Sequence, residues 1–203
     1  MAAELDIRTV VGGPLDVNTY VVGSAGGDAC VVIDPGAEAE KVERAVNGRR
    51  VDAVLLTHGH FDHMLYAQAW LDRGAKLYVH EDDARALKNP LLNLSTVVNC
   101  SLSLPQADVL LTEGDVFSEA GVEFTVLHTP GHTPGGVCYL CGMDMFTGDT
   151  LFYRDCGRTD LPGGDSQQLR ASLVRLMELD SEIVAYPGHG MKTKIAWERR
   201  TRF

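Results

Sequence analysis

The stretch Thr57-His58-Gly59-His60-Phe61-Asp62-His63 puts four potential metal ligands into six positions, directly after the apolar run at residues 51–56. A short run rich in valine and leucine reads as a buried strand. The ligands therefore stand at a strand's C-terminal end, where open α/β sheets gather their ligand sites. In extended backbone His58 and His60 are two apart and project to one side. The two imidazoles can then chelate one ion, while Asp62 and His63 turn away as the chain enters a helix. Imidazole and carboxylate donors together suit Zn²⁺, and also Fe or Mn in a two-metal site. A polar loop with coincidental histidines is a poor account of ligand types packed this closely.

Three later turns share the design. His132 lies in the turn 129–135 after the apolar stretch 122–127, Asp149 follows the stretch 143–146, and His189 follows the stretch 182–186. Glycine lets backbone and ligand approach closely in these turns, and proline stiffens them. Alone, each is an ordinary turn. Together with the opening cluster they supply five histidines and two aspartates, all at strand ends. That set is enough to hold two metals about 3.5–4 Å apart with positions left for water.

Composition narrows the setting. An apolar fraction of 45% and a charged fraction of 23% are those of an ordinary globular protein. A net charge of −10 disfavours nucleic-acid backbones and anionic membranes as partners. An anionic small substrate stays compatible, because one local cation outweighs a distant surface field. The opening Met1-Ala2-Ala3-Glu4-Leu5-Asp6 lacks a basic stretch followed by an apolar one, so no signal peptide is expected. No apolar run approaches membrane-spanning length. Five cysteines, an odd number without scaffold spacing, point to a reducing cytoplasm. Cys138 and Cys141 form a C-x-x-C, but in an expected strand at 136–141 residues three apart face opposite ways. Both are expected as buried core thiols.

Short strands at 6–11, 19–22 and 29–33, separated by glycine- and proline-rich turns, suggest antiparallel pairing. Helices are expected at 38–47, ending at Gly48, then at 63–73 and 82–88, with a strand at 76–80. Residues 89–105 are apolar but broken by Asn, Ser and Pro, and read as a long connection over the site, a lid. Strands at 122–127, 137–141, 143–146 and 182–186 follow, with helices at 166–179 and 194–200. Leu169, Leu173, Leu176 and Leu179 recur at helical spacing as core positions. No repeat or linker divides the chain, so a single domain over residues 1–203 is expected. Asp34 reads as a turn aspartate bonding neighbouring backbone, and not as a ligand. His80 reads as structural or surface-facing. His128 is either a hydrogen-bond partner of a ligand or structural.

The order His58-x-His60-x-Asp62-His63, then His132, Asp149 and His189, resembles the metallo-β-lactamase superfamily. Within it the chain is most similar to short, single-domain glyoxalase II (hydroxyacylglutathione hydrolase) proteins. The resemblance runs from Asn18-Thr19-Tyr20 through Ile33-Asp34-Pro35-Gly36 to Glu198-Arg199-Arg200. It implies an α/β (α+β) fold, a four-layer αβ/βα sandwich with the metals at one edge of the two sheets. It implies that His58, His60 and His132 hold one divalent ion, that Asp62, His63 and His189 hold a second, and that Asp149 bridges them. Zn is expected first, with Fe and Mn open. The implied reaction is hydrolysis of a small-molecule thioester resembling S-lactoylglutathione by water activated at the metals. Asp62 would help orient the nucleophile, and no acyl-enzyme is expected.

The resemblance also touches the substrate. Arg158, after Cys156-Gly157, falls where these relatives place a glutathione-binding cation, and a guanidinium can fork onto a carboxylate. Alternatively it pairs with Asp160 or another acid to fix the loop. Asp160 and Met191 stand where the family has tyrosines, and fourteen residues follow His189. The helical domain that completes the thiol-conjugate pocket in longer relatives is therefore not expected, which opens the site to other acyl donors. Two alternatives use the same residues: a mononuclear-iron persulfide dioxygenase, similar through residues 157–160, and a lactone or other ester hydrolase. β-Lactam hydrolysis fits less well, because Asp149 and no cysteine occupies the downstream ligand position. Processing of tRNA sits badly with the net charge. A metal-stabilised interaction domain is disfavoured because structural zinc sites normally close with four ligands.

Overall fold

The computed structural model describes residues 4–202. The first sheet runs β1 (Leu5–Gly12), β2 (Val17–Ser24), β3 (Ala29–Ile33), β4 (Arg50–Leu55), β5 (Lys76–His80) and β6 (Val109–Leu111), in that spatial order. β1 to β3 pair antiparallel and β3 to β6 pair parallel. The crossovers carry α1 (Ala39–Val46) and two short helices, α2 (Phe61–Met64) and α3 (Gln68–Leu71). The second sheet contains β7 (Val116–Glu119), β8 (Val122–His128), β9 (Val137–Cys141) and β10 (Asp144–Gly148). After the small hairpin β11 (Leu151–Phe152) and β12 (Asp155–Cys156) comes α4 (Ser166–Met177). The sheet is completed by β13 (Val184–Pro187) and β14 (Thr193–Lys194), and α5 (Ile195–Arg202) follows. Among the described residues of this second sheet β10 and β13 pair parallel and the other neighbours pair antiparallel.

Two-residue alternation sorts the side chains into layers. In β3, Val31 and Ile33 enter the layer between the sheets, while Cys30 and Val32 face α1. In β9, Val137, Tyr139 and Cys141 enter that same central layer, while Cys138 faces α4. The result is helix, sheet, sheet, helix: a four-layer αβ/βα sandwich. Trp70 and Met64 close the first outer layer, and Leu169, Leu173 and Leu176 close the second. Each such side chain contributes about 1.5–3 kcal/mol by leaving water, so both sheets are held from either side. The C-x-x-C thiols lie on opposite faces, and burial pushes each up to about 12. Among the described residues no helix is long and apolar enough to cross a membrane.

Several elements differ from the sequence reading. The helix expected at 63–73 breaks into α2 and α3. At the break Tyr66 donates its N–H to the carbonyl of Pro35, at 2.9 Å, in place of an in-helix acceptor. Residues 82–88 form no α-helix. They fold as 3₁₀ turns at Glu81–Asp83 and Ala86–Lys88, since a segment this short gains little from helix propagation. α1 ends on Asn47 in the left-handed region (φ 54°), one residue before Gly48. Residues 89–105 contain a 3₁₀ turn, Ser95–Val98, and are fastened at Asn93. Its carbonyl accepts from Phe61 N–H, and its side-chain amide donates to the carbonyls of Ala86 and Leu102. β6 and β7 were not expected at all.

Candidate metal centre

Five strand ends meet at one edge. β3 delivers Asp34, β4 delivers Thr57 to His60, and α2 carries Asp62 and His63. The turn after β8 holds His132, β10 leads into Asp149, and β13 leads into His189. The two sheets are stitched together here. Val137 N–H donates to Thr57 O at 2.8 Å, and Tyr139 Oη donates to Leu56 O at 2.7 Å. The His189 turn is clamped from the first sheet: Asn18 Nδ2 donates to the carbonyls of Pro187 and Gly190, and Tyr20 Oη to that of Pro187. Gly188 lets this turn approach, because a Cβ there would run into Asp149 Oδ1 and His63 Cε1.

All seven residues named from the sequence come together. His58, His60, Asp62, His63 and His132 are buried, and the Asp149 side chain is 12% exposed. One group is His58 Nε2, His60 Nδ1 and His132 Nε2: the first two lie 3.1 Å apart, and His60 Nδ1 lies 2.9 Å from His132 Nε2. The other is Asp62, His63 and His189, with Asp62 Oδ2 3.5 Å from His63 Nε2 and 3.3 Å from His189 Nε2. Asp149 faces both groups. Its Oδ1 lies 3.3 Å from His63 Nε2, and its Oδ2 lies 3.5 Å from His132 Nε2 and 3.7 Å from His189 Nε2.

Outer hydrogen bonds decide where the ring protons sit. Thr57 Oγ gives its proton to Asp34 Oδ2, so at 3.1 Å it accepts from His58 Nδ1–H. His132 Nδ1–H donates to the Arg158 carbonyl at 2.8 Å, and His63 Nδ1–H donates to Asp34 Oδ2 at 2.8 Å. These bonds leave the Nε2 lone pairs of His58 and His132 aimed into the cluster, and turn His63 Nε2 toward Asp62 and Asp149. One proton on His60 Nδ1 can serve only one of its two neighbours, so lone pairs crowd at about hydrogen-bond distance without protons between them. His63 Nε2 and Asp149 Oδ1 are buried without a hydrogen-bond partner. A cation in each group removes both problems, and the histidine and aspartate clusters fit a dinuclear metal site.

Electrostatics divides the two groups. Burial keeps His58 neutral, well below the usual imidazole range, with His63, His60 and His132 adding to the effect. Burial and His132 push His60 down to about 3. Burial alone would lower His63 as well, but Asp149, Asp62 and Asp34 raise it well above its ordinary value. His189 is also raised, as Asp62 and Asp149 outweigh burial. The two carboxyls resist burial for the matching reason: His63 beside each holds Asp62 and Asp149 below the ordinary carboxylate value.

The other residues singled out from the sequence are placed as follows. Asp34 does more than shape a turn. Held in the left-handed region (φ 49°), it accepts from Thr57 N–H, Thr57 Oγ–H and His63 Nδ1–H, and so orients a member of the cluster. His128 bonds no member of it; the ring donates to Pro134 O and stacks on His80 with centroids 4.0 Å apart. Arg158 lies on a cavity of about 410 Å³, shared with Leu169, Arg170 and Leu173. Its guanidinium is forked onto both oxygens of Asp160 at 2.7 Å, and its carbonyl is what orients His132. Asp83 escaped the sequence reading. Its buried carboxylate accepts from Gly59 N–H, Thr133 Oγ–H and Gly135 N–H. The available signal was its position just past the C-terminal end of a parallel strand, where ligand sites form.

Comparison with known proteins agrees with this geometry. The profile of the Metallo-beta-lactamase superfamily matches residues 12–189. A Haemophilus influenzae protein, hydroxyacylglutathione hydrolase GloC, is 33% identical over 182 residues, covering 84% of each chain. The crystal structure of BLEG-1 B3 metallo-beta-lactamase superposes with a TM-score of 0.91 at 33% identity, over 96% of this chain and 97% of that one. The crystal structure of TTHA1623 in a di-iron-bound form superposes with a TM-score of 0.81 at 37% identity, over 96% and 98% of the two chains. With a profile spanning most of its length and such a relative covering 84% of it, the chain belongs to the metallo-β-lactamase superfamily.

Proposed function

We propose that this protein is a dinuclear metal-dependent hydrolase of small-molecule thioesters resembling S-lactoylglutathione. The observation that carries the reading is Asp149, a single carboxylate facing two complete ligand groups. His58, His60 and His132 would hold one ion, Asp62, His63 and His189 the other, and Asp149 both. Bound there, a pair of divalent ions supplies water activation near neutral pH and polarisation of a carbonyl. Zn is the first expectation for the ions, and the di-iron form of TTHA1623 keeps iron open.

The chain's own residues would do the rest. Asp62 and Asp149 stay ionised beside His63, so either can accept a hydrogen bond from the attacking water and orient it. A thioester suits such a site because a thiol of pKa about 8.5 leaves as thiolate without waiting for a proton. The cysteines at 30, 138 and 141 play no nucleophilic part, since burial pushes their thiols up to about 11, 12 and 12. Similarity to GloC supports a glutathione thioester. Arg158 would grip the thiol carrier's carboxylate by exchanging Asp160 for it, which an exposed pair allows.

The test is hydrolysis of a thioester panel, S-lactoylglutathione included, by protein of measured metal content. Hydrolysis abolished by Asp149→Ala supports the proposal. Failure on every thioester, or activity that survives the loss of Asp149, refutes it. One iron per chain with oxygen uptake on a persulfide would instead establish the dioxygenase reading.

A further inference from the structure

Asp83 lies outside the seven-residue cluster, buried in the turn that follows β5. All its side-chain hydrogen bonds go to loops that carry cluster histidines. Oδ2 accepts from Gly59 N–H and from Thr133 Oγ–H, each at 2.8 Å, and Oδ1 accepts from Gly135 N–H at 2.7 Å. Gly59 separates His58 from His60, and Thr133 follows His132. One carboxylate thus ties together two loops that sequence holds more than seventy residues apart.

We propose that Asp83 is a positioning residue that presets the His58–His60–His132 triad, so that its loss weakens ion binding there and spares the Asp62–His63–His189 triad. The selectivity follows from which groups back each triad. Asp83 bonds only the 58–60 and 132–135 loops. The second triad is oriented by Asp34, through His63, and by Asn18, through the turn holding His189.

The loops also pack closely against the Asp83 turn and the residues after it. A Cβ at Gly135 would collide with the backbone and side chain of Asp83, and one at Gly59 would meet Ala86 Cβ at 2.6 Å. His128 adds a second tie: it donates to Pro134 O while stacked on His80, the residue that begins the same turn. Fixing the Gly59 amide sets the peptide between the two histidines, and fixing Thr133 and Gly135 sets the turn that aims His132. A preformed triad binds its ion without first ordering its ligands, which is where affinity is gained.

The proposal rests on reading the cluster as a two-ion centre, and the experiment separates the two ideas. Asp83→Asn keeps the shape but sets an amide N–H₂ against an N–H or O–H donor. Apoprotein prepared by chelation is titrated with Zn²⁺ against a chromophoric competitor, in a His189→Ala background that leaves the first triad intact and in a His132→Ala background that leaves the second. The expected result is a loss of about tenfold to a hundredfold in Zn²⁺ affinity in the first background and no change in the second. Thr133→Val removes one of the three bonds with little change of shape, and is expected to give a smaller loss of the same selectivity even if Asp83→Asn folds poorly. Leu173→Ala, in the layer under α4, is the stability control: it lowers thermal stability without selecting between triads. Unchanged affinity at the first triad, or equal losses at both, overturns the positioning role. Wild-type protein that binds no Zn²⁺, Fe or Mn overturns the two-ion reading, and the inference falls with it.

Discussion

Replacing Asp34 by Asn probes how the fold fixes a ring proton. The wild-type carboxylate is buried and accepts three hydrogen bonds, from Thr57 N–H at 2.8 Å, Thr57 Oγ–H at 2.7 Å and His63 Nδ1–H at 2.8 Å. An amide has one acceptor oxygen, so Asn sets its N–H₂ against a donor whichever way it turns. If N–H₂ takes the Oδ2 position, His63 must accept on Nδ1 and carry its proton on Nε2, aimed at Asp62 and Asp149. If it takes the Oδ1 position, it opposes the Thr57 amide. Each unsatisfied buried donor costs about 1–3 kcal/mol, and a misdirected ligand costs about tenfold to a hundredfold in metal affinity. Denaturant unfolding of the apoprotein reads the first quantity, and Zn²⁺ titration with a competing chelator reads the second. Asp34→Asn should lower stability by about 1–3 kcal/mol and weaken the Asp62–His63–His189 triad. A change below about 0.5 kcal/mol with both affinities intact would refute the hydrogen-bond logic.

Acid should empty the two triads in order. His63 and His189 are raised and keep a proton to higher pH, where it competes with an ion, while His58 and His60 are lowered and stay neutral. Falling pH, from about 7.5 to 5.5, spans the ordinary imidazole range; ion loss from the second triad first is expected in metal content measured along that series, and simultaneous loss would contradict it. Cys138→Ala and Cys141→Ala should leave ion content and hydrolysis unchanged, because the thiols lie on opposite faces of β9; loss of either property in either variant would place a thiol in the chemistry. Arg158→Ala should raise KM for a glutathione thioester while kcat holds, since the side chain lies at the cavity and orients His132 only through its carbonyl. An unchanged KM would remove the anion grip.

The candidate cluster was legible because its seven members carry their chemistry in their side chains and stand just past strands or, for Asp62 and His63, in the short helix α2. His58 and His60 stand two apart in the bend just past β4, and both rings reach one group with His132. β3 and β9 were legible as short apolar strands, but which of their side chains enter the central layer was not, since both are apolar at every position. Asp34 and Asp83 were not, since an aspartate after a strand looks the same whether it shapes its own turn or captures amides far along the chain. The break between α2 and α3 depends on Pro35, more than thirty residues before Tyr66, offering its carbonyl to the Tyr66 N–H. β6 and β7 are three and four residues long, too short for a periodic signal, and they form because β5 and β8 present unpaired edges.

The most direct test of the account is a single titration: chelated apoprotein receives Zn²⁺ or Fe²⁺ stepwise while thioester hydrolysis is followed. The account predicts negligible rate without metal, and activity that is completed only as the second equivalent binds, because Asp149 faces two ligand groups. Full activity at one equivalent, or two bound ions with no hydrolysis of any thioester, would contradict it.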